Sequence, residues 1–186
     1  MHVIVVGSGA GGGFPQWNCG CPNCVLVRAS SPLVRSRTQD SVAVSADGEH
    51  YYLLNASPDV LRQIDATREL SPKAPRHTPI RGVVLSNGDM DHILGLFSLR
   101  ESQPLLVLGT SRVLQGLFER NAMTRTLERF EGHTTKRVLE LGKALERARM
   151  ALRELSLDDL PSKNTKSPLR YLTRVEHSKG TTRRIA

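Results

Sequence analysis

Two groups of side chains in this sequence have types and spacings that could do chemistry. Cys19, Cys21 and Cys24 are its only three cysteines and fall within six residues of one another. Thiolates select zinc or iron–sulfur chemistry, and Cys-x-Cys-x-x-Cys can set three of them around one ion, a tetrahedral site short of one ligand. An odd number so tightly grouped, in a chain with no export signal, argues against a disulfide framework. Three ordinary free cysteines rarely produce this spacing beside Gly20 and Pro22, so a closed, structural metal site pinning a loop is the expectation. The fourth ligand stays open: His2, His50, His77, His133 and His177 are all candidates.

The second group is Asp89, Asp91 and His92, in the run Ser86-Asn87-Gly88-Asp89-Met90-Asp91-His92. It follows an apolar stretch and precedes a helical pattern, and loops at the carboxyl ends of strands are where open α/β folds keep their chemistry. Two carboxylates and an imidazole within four residues suit iron, manganese or zinc. The carboxylates would also repel each other unless a cation sits between them. The plain alternative is an Asp-rich turn that caps the helix and coordinates nothing. A third motif, Gly7-x-Gly9-x-x-Gly12, has dinucleotide-fingerprint spacing, but that fingerprint needs a helix starting at the loop. Here the loop runs into Gly13-Phe14-Pro15 and the cysteines, and no second strand ends in an acid at the expected distance. Tight turning and close backbone passage explain these glycines better.

The elements that must position these groups alternate between strand and helix. Met1–Val6 and Ile80–Leu85 read as buried strands, and Ser41–Ser45 with Tyr51–Leu54 reads as a hairpin around Asp47-Gly48. Ser57 is expected to cap a helix with Pro58 at its first position and Val60, Leu61 and Ile64 on its apolar face. A further helix is expected over 93–101, a strand over Leu105–Leu108, and a helix capped by Thr110 with Val113, Leu114, Leu117 and Phe118 inward. Arg137–Leu141 suggests a strand and Ala144–Leu155 a helix. Residues 28–38 and 71–79 read as connections. The whole predicts an α/β layered domain, with the hairpin adding antiparallel pairing.

Length and charge bound the rest. A chain of 186 residues, 39% hydrophobic and 24% charged, is one domain of ordinary globular composition. The net charge of +8 would suggest nucleic acid until it is mapped. Residues 161–186 hold seven basic side chains against the single acid Glu176, so the excess belongs to a tail, read as disordered, rather than to a binding face. The expected division is a domain over 1–160 and a basic tail over 161–186. No run approaches the roughly 20 apolar residues of a membrane span and no signal peptide opens the chain, so a cytoplasmic protein is expected, without nucleic acid or membrane insertion.

Taken together the motifs resemble a known family. Leu85-Ser86-Asn87-Gly88-Asp89-Met90-Asp91-His92 resembles the His-x-His-x-Asp-His signature of the metallo-β-lactamase fold, with Asn87 and Asp89 where the first two histidines would stand. The opening Gly9–Asn18 with Cys19, Cys21 and Cys24 is similar to that of the coenzyme PQQ synthesis protein B family. So are Arg37-Thr38-Gln39, Leu54-Asn55-Ala56-Ser57-Pro58-Asp59 and Gly95-Leu96-x-Ser98-Leu99-Arg100-Glu101. The likeness covers roughly residues 1–145, where the family runs on for about twice as long. It implies the N-terminal half of an αββα metallo-β-lactamase-like sandwich, C-terminally truncated, with the missing half bringing the second sheet and a histidine to complete the cysteine site. It implies a structural zinc on Cys19, Cys21 and Cys24, and a second metal, iron or another divalent ion, on Asp89, Asp91 and His92. The implied role is in making pyrroloquinoline quinone (PQQ), by metal-dependent hydroxylation of its tyrosine-derived precursor, with other pathway proteins as partners. An alternative is a carrier moving PQQ or its precursor towards the periplasm, with Arg37 and Arg100 contacting carboxylates. An inactive truncated remnant is a third.

Overall fold

In the computed structural model, which describes residues 1–100, 104–129 and 132–140, six strands form one sheet in the order β1-β2-β3-β4-β5-β6. They are β1 (His2–Gly7), β2 (Ser41–Ser45), β3 (Tyr51–Leu54), β4 (Ile80–Val84), β5 (Leu105–Gly109) and β6 (Thr134–Val138). The first three pair antiparallel and the last four parallel, so the sheet is mixed. Four helices accompany it: α1 (Pro22–Arg28), α2 (Val60–Asp65), α3 (Met90–Ile93) and α4 (Ser111–Phe118). All described residues belong to one compact unit within Met1–Ala144. The expected tail, the boundary at 160 and the helix over 144–155 lie outside the described residues.

One face of the sheet carries the core. Ala43, Tyr51, Leu53, Val83, Leu105 and Val107 point to it and pack against Val60 of α2, Ile93 of α3 and Leu114 and Leu117 of α4, all buried. The opposite face is also apolar. Paired register places Val3, Val5, Val42, Val44, Tyr52, Leu54, Val84, Leu106 and Leu108 on it, and none of these nine is buried. Strands this apolar on both faces belong to the middle of a layered structure. Among the described residues, one helical layer and one sheet of the expected sandwich are present.

The elements differ from the sequence reading where tertiary contacts intervene. Met1–Val6 is an edge strand rather than a buried one, because β1 pairs only with β2 and its outer residues Val3 and Val5 stay exposed. The hairpin loop spans five residues instead of closing on Asp47-Gly48 alone, since Ser45 pairs with Tyr51. Asp47 organises it, accepting from the backbone N–H groups of His50 and Glu49 and the Ser45 hydroxyl. The His50 backbone and ring contacts hold the Asp47 carboxyl well below the usual range. Ser57 does not cap α2: its hydroxyl binds Gln63 and the Asp59 N–H, and the helix starts at Val60. A seven-residue helix, α1, starts within the cysteine cluster and carries Cys24, where no helix was expected. The helix expected over 93–101 begins earlier, as α3, then tightens to a 3₁₀ turn over Leu94–Leu99, and Glu101 lies outside the described residues. The last strand runs Thr134–Val138 instead of starting at Arg137, its register set by β5 from Leu105↔Thr134 to Gly109↔Val138. Thr110 caps α4 as expected, its side chain accepting from the Val113 N–H.

The tightening after α3 has a local cause. Gly95 donates its N–H to the Ala56 carbonyl at 2.9 Å, and a β-carbon there would collide with the Ser57 and Ala56 backbones. Gly95→Ala is expected to lower stability by about 1–3 kcal/mol through overpacking, read by chemical denaturation. Gly116→Ala, where a β-carbon meets nothing within 4 Å, serves as the control and should not destabilise.

Candidate metal and active site

The carboxyl ends of β3 and β4 build the centre of the site. Asn55 ends β3 in a left-handed conformation, φ 65°, and is buried. Its Oδ1 accepts from both the N–H and the hydroxyl of Ser86, at 3.0 and 2.9 Å, while its Nδ2 donates to Asp40. The Ser86 hydroxyl, having given its proton to Asn55, turns a lone pair to His92 Nδ1 at 3.2 Å. That contact requires the proton on Nδ1 and leaves the Nε2 lone pair free, the arrangement in which an outer partner orients a ligating histidine. Nε2 faces Asp91 Oδ2 at 3.6 Å. Two lone-pair-bearing atoms at that distance are at ease only with a cation or proton between them. The α3 backbone is fixed as well, because the Ala56 N–H donates to the His92 carbonyl.

The structure therefore brings Asp91 and His92 together, both half-buried. Asp89 stands at the N-cap position of α3, exposed, with no side-chain cap bond. Its own N–H is taken by Asn87 Oδ1. The glycine loop covers the pair: a β-carbon on Gly11 would lie 2.9 Å from Asp91 Oδ2. No helix follows that loop, which turns at Phe14-Pro15 instead, so the geometry of a dinucleotide site is absent there.

Sequence reasoning missed what holds this roof in place. Gly9 and Phe14 bridge to Gln39 and Arg37, and Ser8 and Gly9 donate to the Thr38 carbonyl. Beneath them buried Gln63 donates to Thr38 Oγ1 and to the Gln39 carbonyl and accepts from Ser57, while Asp59 accepts from the Gln39 N–H. The family blocks around residues 37–39 and 54–59 are thus one hydrogen-bonded frame. A polar residue on the inner side of a short helix, at Gln63, is the only sequence signal that could have disclosed it.

The cysteines form a second, separate cluster. Their sulfurs all lie within 4.8 Å of one another, compatible with the roughly 3.8 Å between thiolates that zinc–sulfur bonds of about 2.3 Å impose on a tetrahedron. Cys21 sits at the N-cap of α1 with Pro22 at the first helical position. Arg28, in the last turn, reaches back to the carbonyls of Cys19 and Gln16. The Cys24 backbone N–H, with the Cys19 and Cys24 thiols, holds the Cys21 thiol below its ordinary pKa. At Cys24 the Gln16 backbone pulls the thiol down, but burial and the thiols of Cys21 and Cys19 outweigh it and push it up. Three soft donors, one of them easily ionised, fit a zinc ion. Among the described residues no histidine joins them. His50 pairs with Asp47, His77 accepts from the Lys73 N–H, and His2 lies against Gly48. His133 is buried, with no partner for Nε2, and His177 lies outside the described residues.

Trp17, the chain's single tryptophan, is exposed two residues before Cys19. Loading with zinc is expected to give about one ion per chain by elemental analysis and to change Trp17 emission. Cys19→Ala/Cys21→Ala should lose both responses, while His92→Ala keeps them.

Comparison with known proteins bears on both clusters. A beta-lactamase superfamily domain matches residues 50–172. Coenzyme PQQ synthesis protein B of Methylorubrum populi is 53% identical over 115 residues, covering 61% of this chain and 38% of that protein. Its counterpart in Bradyrhizobium diazoefficiens is 53% identical over 116 residues, covering 61% and 37%. The chain spans a little under two fifths of the length of these curated relatives. Among solved structures, Zn(2+)-bound PqqB from Methylobacterium extorquens superposes with a TM-score of 0.70 at 44% identity, over 76% of this chain and 46% of that one. A diphosphatase of the PhnP family, at 23% identity and a TM-score of 0.53 over 74% and 50%, shares the fold. The chain belongs to the beta-lactamase superfamily, and over 61% of its length it is similar to coenzyme PQQ synthesis protein B.

Proposed function

We propose that this chain serves PQQ biosynthesis in the cytoplasm, as a metal-dependent oxygenase that hydroxylates the tyrosine-derived precursor. The observation that supports the reading is the Asp91–His92 pair, with Nε2 and Oδ2 at 3.6 Å and the imidazole held by Ser86. Asp91 and His92 would hold a divalent metal, carboxylate and imidazole together suiting iron; exposed Asp89, the third expected ligand, would have to turn in to join them, since among the described residues only the cysteines are gathered as a group of three. When bound, iron would supply the activation of dioxygen. The chain's own residues do the rest: Asn55 and Ser86 fix the ring's tautomer, and the Gly9–Gly13 loop shields the carboxylate from solvent. The cysteine cluster would carry a structural zinc, pinning the segment that leads out of that loop.

A carrier reading is favoured by one specific feature. Beside Gly12 and Gly13 lies a polar cavity of about 260 Å³ lined by Arg37 and Arg62 against the single acid Asp59, a setting in which the guanidinium groups could take a carboxylate. Arg100, the other arginine expected to contact the ligand, donates instead to the Phe97 carbonyl.

His92→Ala is expected to abolish iron-dependent hydroxylation while the zinc of the cysteine cluster remains. Ser86→Ala, which removes only the outer hydrogen bond, should weaken iron binding by about 10–100-fold, measured by iron titration. PQQ binding that needs no metal and gives no turnover would favour the carrier. Soluble wild-type protein without metal or PQQ affinity would leave a remnant.

A further inference from the structure

The two edges of the sheet are built differently. The outer strand at one side, β6, carries Lys136 and Arg137, both exposed. Charged side chains, lysine above all, are a usual means of keeping a sheet edge from pairing with another chain. The outer strand at the other side, β1, has no such guard. Among the described residues it pairs only with β2, and from His2 to Gly7 it holds no lysine, arginine, acid or proline. Its register with β2 is regular from His2 to Val5 and shifts only before Gly7. Every other residue of such a strand turns its backbone N–H and C=O away from the sheet, a row of groups ready to extend the ladder.

The side chains of β1 decide what fits there. Val3 and Val5 lie on the outer face, 55% and 65% exposed, while Ile4 and Val6 pack against the core. Residues that face each other across a strand pair stand on the same side of the sheet. For two antiparallel copies of β1, facing residue numbers must then sum to an even number. The register centred on Ile4 uses the strand most fully. Ile4 faces itself across a two-fold axis, Val3 faces Val5, and His2 faces Val6, so aliphatic side chains meet at the centre on both faces of the sheet. An axis perpendicular to the sheet keeps both helical layers on one side and carries the apolar outer face across the join. This arrangement is closed, whereas β1 laid on β6 of another copy would leave edges free and grow without limit. The lysine and arginine of β6 stand against that second mode.

We propose that the chain forms a two-fold dimer through β1, the two strands pairing antiparallel about Ile4 into one sheet shared by both copies. The dimer goes beyond the functional reading above and does not rest on it. It bears on the site because β1 runs directly into the glycine loop over Asp91. A second copy therefore braces the strand from which that loop springs.

Sedimentation equilibrium of the zinc-loaded full chain is the test, and a reversible dimer is the expected result. Val3→Lys/Val5→Lys sets lysine against lysine twice across the axis and should raise the dissociation constant by about tenfold. Val3→Lys/Val5→Glu sets lysine against glutamate at the same two places and should bring the constant back to near the wild-type value. Both positions are exposed in the single copy, and a cooperative thermal transition with zinc retained by the cysteines shows that each variant folds. Tyr52→Lys, in the middle of the outer face, should leave the dimer intact. Loss of the dimer in that variant would mean that two copies pack face to face, and would overturn the edge. A monomeric wild type, as when other residues of the chain cover β1, would overturn the proposal. So would equal behaviour of the two charged pairs, or a mass that climbs past the dimer with concentration.

Discussion

The carboxamide of Asn55 is the constraint on which the site depends. Adjacent parallel strands have no covalent tie at their carboxyl ends, and the two loops leaving β3 and β4 would otherwise be free to splay apart. Asn55 closes that gap from a buried position, taking two hydrogen bonds from Ser86 and giving one to Asp40. Its left-handed backbone is one that asparagine tolerates better than most side chains. Replacing it by an apolar residue would take both contacts from Ser86, which is exposed and can turn to water, and would free the imidazole that Ser86 orients. The geometry around Asp91 and His92 is therefore inherited from a strand that contains neither.

The legible parts of this protein are those whose causes lie within a few residues. The cysteine cluster could be read because its spacing alone brings three sulfurs together. The Thr110 cap could be read because donor and acceptor are three positions apart. Asp91 and His92 stood out as a motif, but the reason they face each other did not. That reason runs through Ser86 to Asn55, 31 residues away in the chain, and exists only once β3 and β4 have paired. Helix α1 was not expected, because the cysteine spacing was read for its metal chemistry rather than for Pro22, which suits a first helical position. The 3₁₀ segment after α3 could not be foreseen, since it follows from Gly95 meeting the Ala56 and Ser57 backbone.

The glycine loop illustrates how spacing can mislead when its context is ignored. Its pattern fits a phosphate cradle, yet no helix dipole stands behind it. The glycines are needed because the strip Arg37–Gln39 and the Asp91 carboxylate come too near for side chains. Gln63 then sets how close that approach is, by filling the space under Thr38 and Gln39 with a matched amide. A buried polar network rigidifies the segments it joins, although in this one the Gln39 side-chain oxygen is buried without a partner. Here it holds the glycine loop over the Asp91 carboxylate.

The apolar outer face of the sheet has a consequence for the site itself. Leu54 and Val84 lie on that face one residue before Asn55 and two before Ser86, so the rim that bears the imidazole is also the rim of the uncovered surface. A layer laid over those strands would end beside His92. The described residues therefore shape a vessel from one side: floor, roof and one wall are present. The opposing wall would come from whatever shields these aliphatic side chains from water, coupling closure around Asp91 and His92 to the same desolvation that completes the fold.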